Sequence, residues 1–146
     1  MQRRSFLQTM SALGAAAGLP LGARAAGKYD PAAKYDLKVS EVPFRKNSAG
    51  RQLMARIYQP QGAGPFPTLL DLHGGAWQRK DRKAEEPMDR AIATSGVLVV
   101  AIDMTISGEA PYPACIQDAS YGVRWLKARA RQWNGDRKST RLNSSH

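Results

Sequence analysis

Hydrophobic and polar positions alternate in two runs near the front of the chain. Over residues 36–44, Leu37, Val39 and Val42 are set among polar neighbours. Over residues 52–58, Leu53, Ala55 and Ile57 share one face. A period of two marks a half-buried strand. Asn47-Ser48-Ala49-Gly50 between the runs is a turn cluster, so a hairpin with a longer loop is expected. Residues 60–67 hold three prolines and two glycines and form a connection. Thr68-Leu69-Leu70-Asp71-Leu72 is a short apolar run ending at His73-Gly74-Gly75, which suits a buried strand. Residues 84–95 have helical composition, with Met88, Ile92 and, as a further candidate, Ala91 expected to face inward, and Gly96 stops them. Residues 97–102 are apolar on both faces, as a central parallel strand requires.

The best helix covers residues 114–133. Ile116, Ala119, Val123, Leu126 and Ala130 fall at spacings of 3, 4, 3 and 4 and make one apolar stripe, which Asn134-Gly135 ends. No internal repeat interrupts this order. A hairpin followed by alternating strands and helices predicts an α/β sheet with helices on both faces. The alternation stops on a helix, where a further strand is due.

Both ends differ from this middle. Arg3-Arg4-Ser5-Phe6-Leu7-Gln8, a weakly hydrophobic stretch over 12–21 and Ala23-Arg24-Ala25 follow the order of a cleavable twin-arginine export signal. Residues 1–25 are therefore expected to be a signal, recognised by the twin-arginine machinery and delivering the rest to the periplasm or beyond. Residues 137–146 are polar, with no period of either kind.

The ends also explain the charge. The whole chain of 146 residues carries a formal +10, but residues 26–136 hold 16 Lys and Arg against 12 Asp and Glu, a balance of +4. That is ordinary surface charge and excludes a nucleic-acid footprint. The basic run over 79–83 is interrupted by Asp81 and followed by Glu85, Glu86 and Asp89, as a solvated loop and helix face would be. No window approaches the ~18 consecutive apolar residues of a membrane helix, so no stable membrane insertion is expected. The single cysteine excludes an internal disulfide and a cysteine-based zinc cluster. Cys115 itself reads as a packed thiol.

The chemistry concentrates in Leu69-Leu70-Asp71-Leu72-His73-Gly74-Gly75-Ala76-Trp77. Two glycines directly after a buried strand let the backbone turn sharply and aim N–H groups into a cavity. The oxyanion of a tetrahedral intermediate needs such fixed donors. A second run, Asp103-Met104-Thr105-Ile106-Ser107-Gly108-Glu109-Ala110-Pro111-Tyr112-Pro113-Ala114, follows the next strand. In these two segments the chain resembles the α/β-hydrolase superfamily, in its esterase and lipase branch with an H-G-G-[GA]-[WF] loop after the third strand. The second run is similar to that branch's D-Y-R-L-x-P-E-x-P-F-P-A stretch, with Met104, Thr105 and Gly108 departing from it. Asp118, Trp125 and Asn134-Gly135-Asp136 match the following helix and its exit.

The resemblance implies that the backbone N–H groups of Gly75 and Ala76 serve as oxyanion donors. Gly74 is then the permissive turn residue, with His73 and Trp77 bracing the loop. It also implies a carboxylic ester as substrate, acyl-enzyme chemistry, and no metal or organic cofactor. Asp103 and Asp118 read as loop-anchoring or capping carboxylates, and no metal ligand set accompanies Asp71.

No G-x-S-x-G occurs, and Ser48 sits in a surface turn. The similarity fades at Arg137, where the family continues into the nucleophile-elbow strand. Residues 26–136 are thus expected to be the N-terminal part of an α/β-hydrolase sheet, without a triad and inactive as they stand. Residues 137–146 are expected to be a non-native tail resembling an adapter- or vector-derived stretch, or else a solvated natural one. The strand before His73 would then be left with an open edge. A peptidase or amidase of the same fold, or a non-catalytic exported binding domain, are the competing expectations.

Overall fold

The two alternating runs pair as a hairpin. In the computed structural model, which describes residues 32–75 and 78–144, β1 (Leu37–Lys46) lies antiparallel to β2 (Gln52–Pro60). The expected export signal, Ala76 and Trp77 lie outside the described residues. In the hairpin turn, the Arg51 N–H donates to Asn47 Oδ1 at 2.9 Å, and the Asn47 N–H donates to the Arg51 carbonyl at 3.0 Å. Pro43 falls where the register shifts, on a strand that has no second neighbour among the described residues, so its missing N–H breaks no inner ladder there.

The chain continues through β3 (Phe66–Leu72), α1 (Glu86–Thr94), β4 (Leu98–Ile102), α2 (Ala114–Arg129), a 3₁₀ turn (Ala130–Trp133) and β5 (Gly135–Ser144). The sheet order is β1-β2-β4-β3-β5. β4 runs parallel to β3 but antiparallel to β2, whose direction is set by the hairpin. Every β4 residue is buried, because alternate side chains serve two cores. Leu98, Val100 and Ile102 join Leu53, Ile57, Leu70, Trp125 and Leu126 under α2. Val99 and Ala101 join Tyr58 and Ala93 under α1. Each fully buried aliphatic side chain here contributes about 1.5–3 kcal/mol over leaving it in water. Among the described residues no helix is long and apolar enough to cross a membrane.

Both helices are rotated relative to the expected stripes. In α2 the buried positions are Asp118, Gly122, Trp125 and Leu126, while Ile116 is 48% exposed. The cause is close contact at Gly122: a Cβ there would stand 2.8 Å from Ile102 Cδ1 and 3.1 Å from Leu70 Cδ2. The bare backbone lies directly on the sheet, which turns Asp118 down and Ile116 out. In α1 Ala91 is exposed, Met88 and Ile92 are half-buried, and Asp89 and Ala93 are the fully inward positions.

The tail departs further from expectation. Residues 135–144 form a strand, parallel to β3 from Thr68 opposite Thr140 to Leu72 opposite Ser144. The edge of β3 is therefore covered, not open. A ladder is built from backbone groups, and a free edge accepts a partner without apolar alternation. Side chains add to the pairing: Thr68 Oγ1 donates to Thr140 Oγ1 at 2.8 Å, and Asn143 Nδ2 donates to Asp71 Oδ1 at 2.7 Å. Leu142, the tail's apolar residue, stays 53% exposed.

Candidate active site

The carboxyl ends of β3 and β4 lie side by side, and the loops leaving them form one rim. His73, at the end of β3, is buried. Its Nε2 accepts the Met104 N–H at 3.3 Å, and Nδ1 lies 2.9 Å from the Gly74 carbonyl. A backbone N–H only donates, so Nε2 is the acceptor and Nδ1 carries the hydrogen. Both ring nitrogens are committed to backbone, which leaves neither to shuttle a proton in this arrangement.

Gly74 is buried, and Gly75 has φ +96°. A Cβ at Gly75 would run into the Arg79 carbonyl oxygen, so glycine is required twice over, by conformation and by space. The Gly75 carbonyl accepts the Gln78 N–H at 3.0 Å and the Arg79 N–H at 3.3 Å, closing a tight turn. Among the described residues the Gly75 N–H donates to no acceptor. The structure thus brings His73, Gly74 and Gly75 together, while Ala76 and Trp77 are not described.

The segment after this turn is fastened by acids and arginines. Asp103, at the end of β4, accepts the Met54 N–H at 3.0 Å, the Arg82 N–H at 3.1 Å and the Arg82 guanidinium at 3.1 Å. Arg82 also reaches Glu41 at 2.7 Å. Its hydrogen bond holds the Glu41 carboxyl down at about 2, with Arg56 and nearby positive charge assisting against a smaller opposing effect of burial. The loop after β4 is held in the same way. Glu109 pairs with the Arg51 guanidinium, which lowers its pKa, and accepts the Asn47 amide and the Ile106 N–H, each at 3.1 Å. Asp118 accepts the Thr105 N–H at 2.7 Å and pairs with Arg45 at 3.2 Å. Asp103 and Asp118 are loop anchors in this geometry.

Asp89, expected with Glu85 and Glu86 on a solvated loop and helix face, instead points inward, because the rotation of α1 turns this position toward the sheet. It is wholly buried, and among the described residues neither carboxyl oxygen has a hydrogen-bond partner. Burial, followed by the charges of Asp71, Glu85 and Glu86, pushes its pKa up to about 7. Burial also raises Asp71, against the hydrogen bond from Asn143. The two acids flank the glycine loop, one at the end of β3 and one in the first turn of α1. A buried unpaired carboxylate is costly, so the neutral acid is favoured there. Among the described residues no group of three or more His, Cys, Asp or Glu could hold a metal ion.

A sheet with parallel inner strands, helices on both faces and a glycine turn at the carboxyl end of β3 has the architecture of the N-terminal part of an α/β-hydrolase fold. The match to a hyperthermophilic esterase from the archaeon Pyrobaculum calidifontis bears this out for the fold, with TM-score 0.67 and 22% identity over 74% of this chain and 34% of that one. The BD-FAE family model matches residues 56–143, more than half of the chain, and the chain belongs to that family. Carboxylesterase NlhH of Mycobacterium tuberculosis is 32% identical over 83 residues, which is 56% of this chain and 26% of that protein. Versiconal hemiacetal acetate esterase of Dothistroma septosporum is 30% identical over 107 residues, or 68% of this chain and 33% of that protein. The chain thus spans a third or less of the length of these two relatives.

Proposed function

We propose that this chain is the oxyanion-loop portion of an exported serine hydrolase that acts on carboxylic esters through an acyl-enzyme. The observation that carries the proposal is Gly75. It stands in a left-handed turn at the carboxyl end of β3, with its N–H uncommitted among the described residues. Such a donor, fixed before the reaction, can stabilise the negative oxygen of a tetrahedral intermediate. Ala76 supplies the neighbouring N–H in this proposal, and His73 and Trp77 brace the loop. Relatives named as esterases support the choice of ester.

The sequence carries no G-x-S-x-G, so the nucleophile is assigned to sequence beyond these 146 residues, in the length that the relatives have and this chain does not span. There a serine attacks the ester carbonyl and a histidine takes its proton and returns it to the leaving alcohol. Water then cleaves the acyl-enzyme by the same route. The His73 contacts argue against its being that base. Arg3-Arg4 are proposed to direct twin-arginine export to the periplasm.

p-Nitrophenyl butyrate hydrolysis tests the proposal. The 146-residue chain should show no turnover above buffer, and the full-length hydrolase should show turnover that a serine-directed phosphonate abolishes. Phosphonate-sensitive turnover by the 146-residue chain, or none by the full-length protein, would overturn it.

A further inference from the structure

A cavity of about 420 Å³ opens in the loop after β4 and the first turn of α2, lined by Thr105, Ser107, Ala110, Tyr112, Cys115 and Ile116. We infer that it binds the uncharged aromatic or short alkyl group of an ester whose carbonyl is held at Gly75, an inference that rests on the ester-hydrolase proposal above.

Three observations carry it. The first is position. Thr105 directly follows Met104, whose N–H is bound by His73 Nε2 at 3.3 Å, and His73 directly precedes Gly74. The cavity and the loop therefore share the rim at the carboxyl ends of neighbouring parallel strands, where open α/β sheets bind ligands.

The second is lining chemistry. Ala110, Tyr112, Cys115 and Ile116 present mainly apolar surface, and Thr105 and Ser107 offer only hydroxyls. No Asp, Glu, Lys, Arg or His lines it, so a carboxylate or ammonium entering the cavity would lose water without gaining a counter-ion. The volume lies within the range of roughly 300–1,000 Å³ typical of small-ligand pockets.

The third is that the floor is fixed before any ligand arrives. Asp118 holds the Thr105 N–H at 2.7 Å, Glu109 holds the Ile106 N–H at 3.1 Å, and Arg51 Nη2 donates to the Met104 carbonyl at 2.9 Å. Preorganisation of this kind lowers the ordering cost of binding. By contrast Tyr112 and Ile116 stand 82% and 48% exposed at the mouth.

Cys115 is the chain's only cysteine and lines the cavity, so its alkylation reports occupancy without any turnover. The 146-residue chain is treated with iodoacetamide in the presence of methyl benzoate, and separately of sodium benzoate at equal concentration. Saturable protection by methyl benzoate is expected, with Kd on the order of 1 mM for so small a ligand. At ten times Kd the alkylation rate should fall about tenfold. Benzoate should not protect. Ile116→Asp, a change at an exposed position that leaves the core intact, should remove the protection, and Ala110→Phe should do so by filling the space. Absence of protection, equal protection by benzoate, or protection surviving both substitutions would overturn the inference. Protection alongside an inactive full-length protein would sink the hydrolase proposal and leave the cavity, whereas an active protein with unprotected Cys115 would sink the cavity alone.

Discussion

Replacing Asp89 by asparagine should make the protein more stable at alkaline pH and remove a slope from its stability profile. The carboxyl is fully buried, lacks a hydrogen-bond partner among the described residues, and feels the like charges of Asp71, Glu85 and Glu86, with Arg56 and Tyr58 on β2. Its pKa rises from an ordinary 3.8 to about 7, with burial the largest cause. A folded-state pKa above the unfolded one means that the native state holds the proton more tightly. That contribution is fully present below about pH 4 and is lost as pH rises to about 7. The integrated loss is on the order of 4 kcal/mol at about 1.4 kcal/mol per pKa unit. Asparagine stays neutral throughout but brings two amide hydrogens that the pocket does not satisfy, at about 1–3 kcal/mol. The net expectation at pH 8 is a gain of about 1–3 kcal/mol for Asp89→Asn. Urea unfolding followed by far-UV circular dichroism between pH 4.5 and 8 measures it. Between pH 5 and 7 the wild-type chain should lose stability relative to the variant. A difference that does not change with pH, or a variant less stable than wild type at pH 8, would refute the reasoning.

Other sites give independent outcomes. Gly122→Val should lower stability by about 1–3 kcal/mol in a thermal melt, because its side chain has to displace Ile102 and Leu70. Glu109→Gln should abolish a contribution with the opposite pH sign. The depressed pKa of Glu109 stabilises the fold above the ordinary glutamate range and is lost as pH falls through its folded value, so wild type and variant should converge in acid. Asp118→Ala should cost about 2–3 kcal/mol in urea unfolding, since it leaves the Thr105 N–H and Arg45 without their acceptor.

What the sequence made legible follows from which forces act locally. The β4 run needed no context, because Val97-Leu98-Val99-Val100-Ala101-Ile102 is too apolar for a strand with a wet face. Its pairing with β2 did need context, since strand direction depends on a partner remote in sequence. The 3, 4, 3, 4 spacing in α2 assumes that large apolar residues choose the buried face. Gly122 instead sets the rotation through close approach, and Ile116 turns outward. Asp89 was hidden for a related reason: an acid between Met88 and Arg90 looks like surface until tertiary packing places it under the helix. A strand over residues 135–144 could not be read from side chains at all, because its ladder rests on backbone groups and on the unfilled edge of β3. The glycine loop was legible because its requirement is local. The chain must turn immediately after a buried strand, and Gly75 does so at a φ that side chains rarely adopt.

In the proposed mechanism the Gly75 N–H holds the oxyanion. Steady-state hydrolysis of p-nitrophenyl butyrate by the full-length hydrolase carrying Gly75→Ala tests it most directly. The substituted Cβ collides with the Arg79 carbonyl and must displace the donor. The expected result is kcat lower by about 10²–10³ with KM changed little, the mark of a group that acts in the transition state. An unchanged kcat, with the variant folded by circular dichroism, would contradict it.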